Sequence, residues 1–125
     1  MSKNINLTEA EEKLANIIWR DGELMSPDLV ELAEKELGWK KSTTYTILKK
    51  LCEKGVLKNE KAKVSAILTR DEQITRQSHR YVEDAFGGSL PRFIASFFRG
   101  GNLSPQEVSE LRKLIDEYDE GDIND

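Results

Sequence analysis

Apolar residues recur at helical spacing along most of this chain, and only near its middle does the period shorten to that of a strand. Leu14, Ile17 and Ile18 share one helical face behind Thr8-Glu9-Ala10-Glu11, a capping-box sequence, so a first helix is expected over about residues 9–20, ended by Asp21-Gly22. Leu29, Val30, Ala33 and Leu37 form a second such face, bounded by Gly38, with Ser26 as N-cap and Pro27 in the first turn. A third helix, about residues 42–54, is expected to carry Thr44, Ile47, Leu48 and Leu51 on one side, with Ser42 as N-cap and Gly55 as its left-handed stop. Val56–Asn59 and Val64–Leu68 are short β-branched or alternating runs, which predicts a hairpin over about residues 56–69. Its connection, Glu60-Lys61-Ala62-Lys63, contains no glycine, which argues against a tight two-residue turn.

Beyond the hairpin the helical period returns. Thr69-Arg70-Asp71-Glu72 is a second capping box and opens a helix reaching about Phe86, with Ile74, Tyr81, Val82 and Ala85 along it. Gly87-Gly88-Ser89 and Gly100-Gly101-Asn102 break the remainder into a short helix and a last one opened by Ser104-Pro105-Gln106-Glu107. The acidic residues after about Glu120 are expected to fray. The fold class is therefore mainly α with a small β-hairpin wing. Helix, helix, helix and hairpin over residues 1–70 is the element order of a winged helix-turn-helix, and residues 71–125 form a helical appendage.

That appendage is too apolar for three short helices. Tyr81, Phe86, Leu90, Phe93, Ile94, Phe97, Phe98, Leu111, Leu114 and Ile115, with Tyr118, need cover, and a twofold-related copy of the chain supplies it most simply, making a homodimer the expected assembly. Folding back onto the winged domain is the alternative.

Charge sharpens the picture. The chain has 125 residues and a net charge of −4, yet residues 39–63 hold eight lysines against Glu53 and Glu60. The flanking segments, 1–38 and 64–125, each carry a net −5, so attraction for a polyanion is confined to one stretch. On the third helix, Ser42, Tyr45, Thr46, Lys49 and Lys50 lie opposite the apolar face. Double-stranded DNA is the expected partner. Lys40, Lys41, Lys49, Lys50, Lys61 and Lys63 would supply sequence-independent attraction to phosphates, and Ser42, Thr43 and Thr46 stand near a helix N-terminus where phosphates or base edges can be hydrogen-bonded. Tyr45 is placed either to meet a base or to pack against the wing. A different reading of the same charge is a winged-helix adaptor whose basic face binds an acidic protein.

Other chemistry finds little support. His79 and Cys52 are the only histidine and cysteine and fall in different predicted helices, so no catalytic or metal-ligating set, and no cofactor, is expected. A single cysteine, no apolar run near the roughly 20 residues of a membrane helix and a polar Ser2-Lys3-Asn4 start make the expected location cytoplasmic.

Three segments together resemble the penicillinase-repressor family, winged-helix repressors of β-lactamase and methicillin-resistance genes. They are Leu7-Thr8-Glu9-Ala10-Glu11 with Ile17-Ile18-Trp19, Thr43-Thr44-Tyr45-Thr46-Ile47-Leu48-Lys49-Lys50-Leu51 with Lys54-Gly55, and Phe86-Gly87-Gly88-Ser89. The resemblance implies a homodimeric repressor with base contacts at Ser42, Thr43, Tyr45 and Thr46 and a phosphate contact at Lys50. It also implies a regulatory protease acting on the C-terminal region. Two positions depart from the pattern: Tyr45 stands where the β-lactamase repressors have arginine, and Ser96-Phe97 stands where they have the cleaved Asn-Phe pair. The tail lacks the cysteine pairs of the family's copper-responsive branch.

Overall fold

The structure, a computed structural model, describes residues 4–121. The terminal acidic segment expected to fray, beyond Gly121, and Ser2-Lys3 of the polar start lie outside the described residues. The architecture is a winged helix-turn-helix followed by a helical region.

Thr8 opens α1 (Glu9–Asp21) through both arms of its capping box: the Glu11 amide donates to Thr8 Oγ1 at 3.2 Å, and the Thr8 amide donates to Glu11 Oε1 at 2.9 Å. The next two helices correct the expected caps. Leu24–Met25 is a short strand, β1, and the extended backbone at Met25 makes that residue the N-cap of α2 (Ser26–Leu37). Ser26 is therefore a buried first-turn residue, not the cap. The recognition-helix candidate α3 (Lys41–Glu53) likewise begins earlier than expected, with Lys40 at the N-cap and Ser42 inside the first turn. No side chain caps either helix.

The wing departs from expectation in two ways. Strands β2 (Leu57–Glu60) and β3 (Lys63–Ala66) pair antiparallel with Glu60 opposite Lys63, so Lys61 and Ala62 alone make the turn. Both adopt positive φ, +52° and +67°, the geometry of a tight hairpin turn that glycine or asparagine usually fills. A third strand also joins the sheet: β1 pairs with β3 through Leu24–Val64 and Met25–Lys63, giving the order β1-β3-β2. The Ser26 amide extends this ladder to the turn by donating to the Ala62 carbonyl at 2.7 Å. Sheet pairing on both sides of β3 holds the turn in a conformation that its residues alone disfavour.

Leu14, Ile18, Leu29, Ala33, Leu48, Leu51, Val56, Leu57 and Val64 form one buried cluster drawn from α1, α2, α3 and the sheet. Trp19 and Trp39 edge it, and the Trp19 indole N–H donates to the Leu68 carbonyl at 3.0 Å. Thr69 and Glu72 close a second capping box at the start of α4 (Arg70–Phe86), with bonds of 2.9 and 3.0 Å. The buried residue of α4 is Gln73, whose amide nitrogen donates to the Ile5 carbonyl at 2.9 Å, whereas Ile74, from the apolar face expected for this helix, is exposed. Ser89 caps α5 (Leu90–Gly100), and a third capping box, Ser104 with Glu107, opens α6 (Pro105–Asp119).

The chain divides into two compact units, Met1–Tyr81 and Val82–Asp125. Within the second, Phe93 meets Phe86 edge-on at a centroid distance of 5.5 Å and Phe97 at 6.3 Å, and no residue of α5 or α6 is buried.

Candidate nucleic-acid interface

The surface of α3 follows from a single turn-by-turn division. Thr44, Leu48 and Leu51 turn inward and are buried, and the Thr44 hydroxyl donates back to the Lys40 carbonyl at 3.3 Å. Lys41, Ser42, Thr43, Thr46, Lys49 and Lys50 are exposed, as is Lys40 at the cap. Since a helix's first amides have no carbonyl partner within the helix and no side chain caps this end, its partial positive charge faces outward undiminished. Thr46 donates its hydroxyl proton to the Ser42 carbonyl at 2.9 Å, which leaves its exposed oxygen free to act as an acceptor beside its methyl group.

On the wing, Lys58, Lys61 and Lys63 line one open depression with Glu23, Glu60 and Ser65. Among the described residues no ion pair neutralises Lys40, Lys41, Lys49, Lys50, Lys61 or Lys63. The basic field is thus available to a ligand.

Lys54, in the same basic stretch, does a different job. Its ammonium turns inward to the buried Glu11 carboxylate and donates also to the Asn6 carbonyl at 2.7 Å. Burial by itself raises the Glu11 pKa; the hydrogen bonds from Lys54 and Thr8 outweigh it and hold the carboxyl below its ordinary value. The Lys54 carbonyl accepts from Arg76 of α4 at 2.7 Å. Together with the left-handed Gly55 that follows, these bonds fix where α3 ends. Sequence reading missed this node because Glu11, Lys54 and Arg76 are far apart along the chain and each resembles an ordinary surface charge.

Tyr45 is half-buried against the core, and its hydroxyl donates to Ser26 Oγ at 3.3 Å. Its ring is on α3 as expected, but its polar end points to the junction of β1 and α2. The residues expected to dimerise are all incompletely covered: Phe86, Phe93, Ile94 and Leu111 are half-buried, and Tyr81, Leu90, Phe97, Phe98, Leu114 and Ile115 are exposed. Cys52 is half-buried with its thiol pKa raised by burial, and His79 is exposed. Among the described residues no helix is long and apolar enough to cross a membrane, and no group of His, Cys, Asp and Glu is arranged to hold a metal.

Residues 7–117 match the family profile described as Penicillinase repressor. The penicillinase repressor of Bacillus licheniformis is 24% identical over 122 residues, covering 94% of this chain and 95% of that protein. The methicillin resistance regulatory protein MecI of Staphylococcus aureus strain N315 is 20% identical over 118 residues, 91% of this chain and 96% of its own length. An uncharacterized 16.5 kDa protein of Latilactobacillus sakei is 27% identical over 120 residues, 92% and 82% of the two chains.

Proposed function

The chain belongs to the penicillinase-repressor family, a family of DNA-binding transcriptional regulators and not of enzymes, and on that footing we propose that it is a cytoplasmic, homodimeric repressor occupying a pseudo-palindromic operator. Residues 1–70 bind DNA, with α3 in the major groove and the wing on backbone phosphate, and residues 71–125 pair two copies so that two α3 helices meet two half-sites. The observation that carries this reading is the face of α3: a row of exposed hydroxyls and unpaired lysines at an uncapped helix N-terminus. Ser42, Thr43 and Thr46 read base edges beside Tyr45, and Lys40, Lys41, Lys49, Lys50, Lys61 and Lys63 neutralise phosphates. The engaged hydroxyl proton of Thr46 favours a base that offers an amino group or a thymine methyl.

Exposed apolar side chains on α5 and α6 support dimerisation, because covering such area is worth about 25 cal/mol per Å². A regulatory protease acting near Ser96-Phe97 belongs to the same reading. That bond lies inside α5, so cleavage there requires the helix to open locally.

Titration of promoter and random duplexes at several salt concentrations tests the proposal. Lys50→Ala is expected to weaken every duplex and flatten the log–log salt slope by about one unit, whereas Thr46→Ala changes which sequence is preferred. Absence of binding to any duplex at low salt would sink it in favour of an adaptor whose basic face meets an acidic protein.

A further inference from the structure

Three elements distant in sequence meet at one serine. Ser26 is only 5% exposed. Its Oγ accepts the Tyr45 hydroxyl proton from α3 at 3.3 Å, and its amide donates to the Ala62 carbonyl at 2.7 Å. Ala62 is the second residue of the wing turn, held at φ +67° between Lys61 and Lys63. We propose that Tyr45 is a positioning residue that acts through Ser26 to fix the wing lysines relative to α3, so that its hydroxyl governs operator affinity through the wing and not through a base.

The physical case is that this turn has little intrinsic preference for its own shape. Neither of its residues is glycine or asparagine, so its conformation depends on what grips it from outside. The Ser26 amide is one such grip. Removing the Tyr45 hydroxyl leaves Ser26 Oγ buried without its donor and frees the junction to shift, and the turn shifts with it. Tyr45 is suited to this task because its ring already packs against the core, which fixes the hydroxyl in place.

The proposal rests on the operator-binding reading, and the experiment separates the two. Full-length wild type, Tyr45→Phe, Ser26→Ala and the double variant are titrated against the preferred operator, against single-base variants of it, and over a salt series. Each single variant is expected to lose about three- to tenfold in affinity, equally on every sequence, and the double variant no more than either alone. The salt slope falls, and in a Lys61→Ala/Lys63→Ala background Tyr45→Phe has no further effect. A changed base preference at one half-site position, or an undiminished loss in that wing-neutralised background, overturns the proposal.

Amide hydrogen exchange at Ser26 in the DNA-free protein gives the second readout. It is expected to accelerate in Tyr45→Phe, and unchanged exchange overturns the link whatever DNA does. Wild type that binds no duplex specifically, with exchange still responding, overturns the operator reading and leaves the Tyr45–Ser26–Ala62 coupling standing.

Discussion

In the winged unit Leu14, Leu29, Leu51 and Val64 are wholly sequestered, whereas among the described residues from Val82 onward no side chain is buried and Phe97, Leu114 and Ile115 stay more than half exposed. The local signals do not differ in quality. Ser104 and Glu107 close a capping box as complete as that of Thr8 and Glu11. The contrast teaches that a capping box can fix where a helix starts in either region, but a core requires apolar faces to have neighbours. Three helices and a sheet give the winged unit those neighbours from its own sequence, whereas the described helices of the tail bury none of theirs.

The most severe test of this comparison is a pair of truncations of equal chemistry. Leu51→Ala should cost the winged unit about 2–5 kcal/mol in a denaturant titration, since it empties a fully enclosed site. Ile115→Ala should leave that transition within about 0.5 kcal/mol but weaken self-association by about ten- to a hundredfold in sedimentation. Equal losses of monomer stability from both substitutions would erase the distinction.

Next in size is the polar node of the winged unit. Glu11→Gln leaves the inward-turned Lys54 without its counter-charge and is expected to cost about 3 kcal/mol. The Glu11 carboxyl is held below its ordinary value in the fold, so the stabilisation it provides is complete above the ordinary carboxylate range and is lost as pH falls through the lowered value. Thermal unfolding followed from neutral to acid pH should therefore show a steeper decline for wild type than for Glu11→Gln. Parallel curves would mean that the node contributes packing without charge. The smallest effect is a gain: Ala62→Gly relieves a left-handed alanine and should stabilise the winged unit by about 1 kcal/mol, read as a raised unfolding midpoint, provided the turn keeps its shape.

What could be read from the residues in advance follows the same division between local and distant causes. The capping boxes at Thr8, Thr69 and Ser104 were legible because donor and acceptor lie three residues apart. Ser26 and Ser42 have the right chemistry for caps but the wrong backbone: pairing of β1 with β3 extends Met25, and extended Lys40 takes the N-cap of α3 two positions before Ser42. A two-residue strand gives no periodicity to read, and its partner lies about 40 positions away. Gln73 occupies an interior position because the Ile5 carbonyl meets its amide, a pairing no hydrophobic pattern reveals. The exposed face of α3 was legible from helical geometry alone. Its C-terminal stop at Gly55 was legible too, but the partners that hold Lys54 and Tyr45 were not, since Glu11 and Ser26 lie 43 and 19 positions away.

Because among the described residues no side chain closes the first turn of α3, the amides of Lys41, Ser42 and Thr43 are left for solvent or a ligand to satisfy. The kind of dissolved anion then matters as well as its concentration. Sulfate and phosphate fit such a helix end and compete for it, while chloride at the same ionic strength acts chiefly by screening the lysines. On the proposed reading, the choice of buffer anion and the choice of operator are therefore felt at the same helix end.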